Sequence, residues 1–364
     1  MNFRNLENAK RKAHLIKWRS MENLDKLLPE FEAHAIRNGM KVIWANDDLE
    51  AKSELAELLQ SHRIQTVTRE PSPMMEEVSI DQLLQEKAVQ IKHTANEVDE
   101  PVIPQVDASI CEVNFLIADS GSLVVSQKAT HTAGRGFPSV QIYLAGIEDV
   151  IPSFRELELF WPLLDQHLPA KNAVDSHSIL SGRQIMSPTK DYIPSYLILL
   201  DNGRSDLLAK AEQRQGLYCI RCEACLDVCP IYQHIGPEGY DSVRPGPIGS
   251  LITPHTKGMK EFKHLSEKST LCGKCTAVCP VNIDVSRMLL LNRRDAVQEG
   301  LAPLSEKITW QGYTRIMSQR KWLDFFGPRF KNFIYRLFYQ KNRINKSDAP
   351  LFKKRSFSQH MKGK

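Results

Sequence analysis

No apolar run in this 364-residue chain approaches the eighteen or more residues that a membrane-crossing helix needs. Met1 to Ser20 is charged and has no apolar core of the kind a secretion signal carries, so neither export nor a membrane span is expected. Phosphate-cradling loops are missing as well. The glycines of Ala133-Gly134-Arg135-Gly136-Phe137 have neither GxGxxG nor GxxxxGK spacing and no helix pattern after them. No other stretch reads as a flavin or nicotinamide site. Cysteine is nearly absent outside two short runs: of eight, only Cys111 stands apart, in an apolar stretch where a thiol ordinarily fills core space. Clustered cysteines without scattered partners make disulfides unexpected and fit a reducing compartment, the cytoplasm by default.

What the chain does have is concentrated between Cys219 and Pro280. Cys219-Ile-Arg-Cys222-Glu-Ala-Cys225-Leu-Asp-Val-Cys229-Pro230 is a C-x2-C-x2-C-x3-C-P run, an iron–sulfur signature. Cys272-Gly-Lys-Cys275-Thr-Ala-Val-Cys279-Pro280 repeats its last three cysteines. A zinc ribbon is the plainer use of cysteine pairs, but it takes two separated C-x2-C pairs rather than four thiolates within eleven residues. In two-cluster proteins the fourth cysteine of each run crosses to the other cluster. Cys219, Cys222, Cys225 and Cys279 would then hold one complete [4Fe–4S] centre. The other receives only Cys229, Cys272 and Cys275, and Ser269 stands where its leading cysteine would be. That second centre could be [4Fe–4S] with Ser269, His264, His255 or Cys111 as fourth ligand, a [3Fe–4S] cluster, or a cluster with one open iron. The 42 residues between Cys229 and Cys272 suit a helical ferredoxin module with an inserted loop.

Upstream, elements alternate. Leu24, Leu27, Leu28 and Phe31 recur at helical spacing, with Pro29 expected to kink or divide the segment and Gly39 to stop it. Lys41–Ala45 reads as a strand, Asp47 with Glu50 as a capping pair, and strand and helix signals continue through Ile64–Thr68, Ser79 or Asp81, and Val89–Ile91. After a polar connection over 96–105, Ile110–Asp119, Leu123–Ser126, Val140–Leu144 and Tyr196–Leu200 read as core strands, with a helix from Ser153 to about His167. This predicts an α/β domain with a largely parallel sheet. Beyond the first run, Pro245-Gly-Pro-Ile-Gly249 reads as a rigid turn leading into a polar loop to Thr270, and Val285–Arg294 as a helix.

The net charge of +5 is unevenly distributed: residues 315–364 hold 14 Lys+Arg against 2 Asp+Glu, leaving 34 against 41 in residues 1–314. In 329–343, Phe330, Phe333, Ile334, Leu337 and Phe338 share one helical face opposite basic residues, the pattern of an interfacial helix on an anionic membrane. Packing against the body or an acidic partner subunit is the alternative, and the chain is expected to be disordered beyond Ile344. Nucleic acid is not expected, since no nucleic-acid fold accompanies the charge.

CIRCEACLDVCPIY, PGPIGSLITP, STLCGKCTAVCPVNI and Leu199–Ser205 (LLDNGRS) resemble the lactate utilization protein B family. The likeness extends to Gly146–Ser153 (GIEDVIPS), Phe115–Val125, Ser72–Ile80 (SPMMEEVSI) and Val42–Ala51, and so covers nearly everything from Gly39 to Arg294. The resemblance implies a LUD domain of sugar-isomerase/CoA-transferase-like α/β fold, followed by a mainly helical two-cluster ferredoxin domain. By position it assigns Cys219, Cys222, Cys225 and Cys279 to one cluster and Cys229, Cys272 and Cys275 to the other; the family shares the shortened second run. The chain departs from the family pattern at Asp119-Ser120-Gly121, Lys128–His131, Gln141 and Gly236-Pro237-Glu238, and lacks a block around Ile91–Val106.

The expected organisation is a helical segment over 1–38, a LUD-like domain over 39–210, a ferredoxin-type domain over 211–300 and a basic aromatic tail over 301–364. The expected function is an iron–sulfur electron-transfer subunit that, with companion lactate-utilization subunits, oxidises L-lactate to pyruvate and is catalytic only with them. A peripheral contact with the inner membrane face or with quinone would run through the tail. The alternatives are an electron carrier for another 2-hydroxy acid or a thiol/disulfide oxidoreductase, and an iron–sulfur ligand-binding or regulatory protein.

Overall fold

A computed structural model of the chain describes residues 5–69, 71–92, 106–127, 138–167, 176–182, 184–185, 192–242, 244–318, 330 and 332–333. Gly134, Gly136, Lys128–His131, the connection over 96–105 and nearly all of the tail beyond 318 lie outside them. Residues 1–298 form one unit and 299–364 a second.

Two helices open the first unit, α1 (Leu6–Glu22) and α2 (Leu24–Arg37). The division falls at Asn23, and α2 runs on through Pro29. A proline inside a helix forfeits one backbone bond and costs about 3 kcal/mol. Burial of Leu24, Leu28, Phe31 and Ala35 on the same helix outweighs that, since each large apolar side chain returns roughly 1.5–3 kcal/mol. Gly39, at φ 86°, ends the segment in the left-handed region, as the sequence implied.

The main sheet has six strands among the described residues, in the order β1 (Met40–Ala45), β12 (Ser195–Leu200), β7 (Val140–Gly146), β4 (Ala108–Glu112), β2 (Thr66–Arg69) and β3 (Gln90–Ile91). Every pairing is parallel. Its strands alternate between two cores, as parallel strands buried on both faces must. Tyr196, Ile198 and Leu200 of β12 face a core with Leu55 and Leu59 of α3 (Asp48–Ser61), Met74 of α4 (Pro73–Glu77) and Leu84 of α5 (Ile80–Glu86). Leu197 and Leu199 face the other core. Asp47 caps α3 through Glu50 N at 2.8 Å, while the Glu50 carboxylate accepts from Asn46 N at 2.7 Å, a capping box displaced by one residue.

The run Ile110–Asp119 is two strands, not one. β4 ends at Glu112, the chain crosses at Val113-Asn114, and β5 (Phe115–Ile117) joins a four-stranded sheet ordered β8 (Val150–Ile151), β5, β6 (Ser122–Gln127), β9 (Ser176–Leu180). A continuous apolar run carries no mark of a change of sheet. Short β10 (Gln184–Ile185) and β11 (Tyr192–Ile193) pair with each other.

The stretch expected to be a polar loop to Thr270 is instead helical, over Gly246–Thr256 and Met259–Glu267. Proline at the first turn, followed by Ile248, Leu251 and Ile252, is a helix start, since its missing N–H has no intrahelical partner there. These helices pack with Val285–Gln298, whose Val285, Met288, Leu289 and Leu291 are buried. One apolar core is continuous from α1, α2 and the smaller sheet to Leu217, Tyr218, Leu251 and Val281 around the cysteine runs. In the second unit, Leu304–Ser318 is a helix exposing Leu304, Ile308, Trp310 and Tyr313.

Candidate metal centre

A buried 3-10 turn, Arg214–Tyr218, delivers Cys219. Arg221 (φ 58°) and Glu223 (φ 59°) then take left-handed conformations, uncommon for residues with a Cβ, and curl the backbone around a common centre. Cys225 lies on the one-turn helix Ala224–Asp227, and Cys229 precedes Pro230–Ile235 at its N-cap. In the second run Gly273 (φ 79°) turns the chain into Lys274–Val278, which carries Cys275 and ends at Cys279. Cys222, Cys275 and Cys279 are buried, Cys219, Cys225 and Cys229 half-buried, and Cys272 exposed.

Cys219, Cys222, Cys225 and Cys279 line one cavity of about 260 Å³, walled by Ile220, Leu226, Ile248 and Ile283. Burial, then the neighbouring thiols, pushes Cys222 and Cys225 far up, and burial raises Cys279 to about 11. Cys222 and Cys225 each feel Cys219 and Cys279. Cys275 is raised by burial and then by Cys229 and Cys272, so each of those two lies within electrostatic reach of it, and Cys275 also lines the first cavity. Backbone amides of Arg221 and Ile283 donate to Cys219 Sγ and Cys279 Sγ, both at 3.4 Å. Exposed Cys272 is instead lowered, first by the Lys274 amide.

Thiols crowded in an apolar cavity are costly as free anions, and a bound cationic centre reverses that by taking them as thiolates. Among the described residues no three His, Cys, Asp or Glu side chains converge on a point that a single ion could occupy. A zinc site needs its donors about 2.0–2.3 Å from one atom, whereas the thiolates of an iron–sulfur cluster bind different irons and stand around a volume. Donor chemistry and cavity therefore fit a cluster.

The cavity is closed against the main sheet by a buried ionic network. Arg221 and Arg244 line it. Arg244 Nη2 reaches Glu77 Oε2 at 3.0 Å, and Arg204 binds the same carboxylate at 2.8 and 3.1 Å. Arg204 Nε also stands 2.7 Å from Glu148 Oε2 as a buried ion pair. Asn202 Nδ2 donates to Glu77 at 2.7 Å. Burial opposes ionisation of Glu77, but Arg204 and Arg244 outweigh it and hold the carboxyl well below its ordinary range. The motifs SPMMEEVSI, GIEDVIPS and LLDNGRS, scattered in sequence, thus meet here through Glu77, Glu148 and Arg204. Helix α1 braces the other side: Lys10 Nζ donates to Ala277 O at 3.2 Å, His14 Nδ1 to Val281 O at 2.9 Å and Lys17 Nζ to Glu148 O at 2.5 Å.

The candidates for a further ligand are engaged elsewhere. His255 Nε2 bonds Asn292 Oδ1 at 3.0 Å, His264 Nδ1 donates to Glu261 O at 3.0 Å, and Ser269 Oγ accepts from Leu271 N at 3.1 Å. Cys111 sits on β4 with its thiol 3.4 Å from Ser109 Oγ. Sequence reasoning missed Tyr240, a buried phenol whose hydroxyl is 4.0 Å from Cys229 Sγ, and also the roles of Arg221 and Arg244. Only the position of Arg221 between Cys219 and Cys222 could have signalled it.

Residues 28–174 match the model of the LUD domain, and residues 215–283, which hold all seven clustered cysteines, match the model of a 4Fe-4S dicluster domain. The chain is a LUD-domain protein with a 4Fe-4S dicluster domain. This LUD–dicluster protein is similar to Lactate utilization protein B of Bacillus velezensis, at 27% identity over 95% of this chain and 84% of the relative. It is similar to the Bacillus subtilis protein of the same name at 26% over 96% and 86%. Lactate utilization protein B of Geobacillus thermodenitrificans matches at 34% over 67% of this chain and 52% of its own. A solved DUF162-family structure from Deinococcus radiodurans is similar over 49% of this chain and 97% of its own, at 14% identity and a TM-score of 0.33.

Proposed function

We propose that this LUD–dicluster protein is the electron-transfer subunit of a complex that oxidises L-lactate to pyruvate with companion lactate-utilization subunits. The observation that carries the reading is the grouping of its thiols: Cys219, Cys222, Cys225, Cys275 and Cys279 line one apolar cavity, and Cys229 and Cys272 act electrostatically on Cys275. Cys219, Cys222, Cys225 and Cys279 would hold one [4Fe–4S] cluster, and Cys229, Cys272 and Cys275 a second cluster, [4Fe–4S] or [3Fe–4S], with three cysteine ligands. Bound clusters supply reversible exchange of single electrons, the hard part of the chemistry.

The chain's own residues do the rest. Ile220, Leu226, Ile248 and Ile283 keep water from the first site, and the amides of Arg221 and Ile283 offset negative charge on its sulfurs. The exposure of Cys272 supports a second site near the surface, where a partner can approach it. Anaerobic purification with iron and sulfide counting, then EPR before and after adding lactate and the companion subunits, tests the reading. Two clusters that reduce on lactate addition are expected; colourless, metal-poor protein, or protein with a single zinc, overturns it.

For the second unit, the exposed Leu304, Ile308, Trp310 and Tyr313 beside a strongly basic sequence favour a peripheral contact with an anionic membrane. No helix among the described residues is long and apolar enough to cross one. Liposome co-sedimentation of the chain with and without the second unit, residues 299–364, is the check, and equal binding removes this contact.

A further inference from the structure

Arg221 lies inside the first cysteine run yet spends its side chain on the LUD sheet. Its guanidinium reaches Asp149 Oδ1 at 2.7 Å and Glu112 Oε1 at 3.3 Å, and donates to the carbonyls of Val113 and Asn114 at 2.6 and 3.2 Å. Glu112 ends β4, Val113 and Asn114 follow it, and Asp149 follows β7, the parallel neighbour of β4. These groups stand at the carboxyl ends of adjacent strands, the edge at which open α/β sheets bind ligands. Here that edge receives an arginine from the cluster-bearing segment. The same residue lines the cavity of Cys219, Cys222, Cys225 and Cys279, and its amide donates to Cys219 Sγ at 3.4 Å. With its side chain 14% exposed, the charge is poorly screened and its direction is fixed by four partners.

We propose that Arg221 is a positioning residue through which the carboxyl edge of the LUD sheet sets the reduction potential of the first cluster site. The inference rests on the reading that these thiols hold clusters. Reduction adds one negative charge to the site, and a fixed guanidinium beside it favours that state. Glu112 and Asp149 determine how far the charge is offset and where it points. The sheet edge and the redox site are thereby one electrostatic unit: a change in charge at the ends of β4 or β7 is felt at Cys219.

The test is an EPR-monitored redox titration of the full, anaerobically prepared chain, with iron and sulfide counted in each sample. Arg221→Gln should move one of the two midpoints to more negative potential and leave the other in place. Arg221→Lys, which keeps the charge, should move the same midpoint less. Glu112→Gln should move it the opposite way, and decides the matter if Arg221→Gln does not fold. A purely structural arginine would change cluster content or stability with the midpoints unmoved. Unmoved midpoints in cluster-replete Arg221→Gln and Glu112→Gln overturn the inference. Wild-type chain without cluster signals instead overturns the function proposed above.

Discussion

Arg204 and Glu77, 127 residues apart, meet through two contacts, Nη1–Oε1 at 2.8 Å and Nη2–Oε2 at 3.1 Å, with side chains only 1% and 4% exposed. Arg204 holds Glu148 as well. Removing it strands buried Glu148 and leaves Glu77 with Arg244 and Asn202 alone, and breaking a buried pair from one side costs about 3–5 kcal/mol. Arg204→Ala should therefore lower stability by about that much in anaerobic urea unfolding. A loss below about 1 kcal/mol, the range of an exposed pair, would show that the network is dispensable.

The same pair sets an acid limit. An unfolded glutamate titrates near about 4.3, and Glu77 in the fold lies well below that because Arg204 and Arg244 overcome the effect of burial. A depressed native value means that the unfolded state binds more protons as pH falls, so the contribution is complete above about 4.3 and is lost as pH drops toward the native value. Glu77→Gln should flatten the fall of stability with pH in this acid range. Parallel acid limbs in the two proteins would count against it.

Gly146 has an ordinary backbone, φ −84°, so its need for glycine is steric. A Cβ there would stand 2.0 Å from Glu148 Oε2, and the carboxylate can move away only by leaving Arg204. Overpacking of this kind costs about 1–3 kcal/mol. Gly146→Ala should lower the thermal midpoint accordingly, whereas Gly300→Ala, where a Cβ meets open space, should act only through its backbone strain. Equal effects would discredit the steric account.

The two cysteine groups should separate on mutation. Buried Cys222→Ser should remove one cluster, cutting iron and sulfide by about half and stopping lactate-dependent electron flow. Cys272→Ser, at an exposed position, should spare the first cluster and reduce occupancy of the second. Retained electron flow in a Cys222→Ser protein that lacks the first cluster would remove the relay.

Cysteine spacing was legible because thiolate chemistry demands fixed offsets along the chain. Strand positions of β1, β7 and β12 were legible because apolar runs bounded by turns mark buried strands. Other features were not. The change of sheet at Val113-Asn114 lies inside an unbroken apolar run, and the helices Gly246–Thr256 and Met259–Glu267 were hidden by the density of proline, glycine and charge. The break at Asn23 rather than Pro29 depended on a buried face that supports the helix past its proline.

By itself, the sequence determined the candidate donors: seven sulfurs at iron–sulfur spacing, an α/β domain before them and a basic stretch after. Spacing suffices for that, because short loops restrict which thiols can face inward together. The tertiary structure decided the surroundings. Glu77, Glu148, Arg204, Arg221 and Arg244 come from distant segments, and each is tolerable inside the protein only because folding brings it an opposite charge.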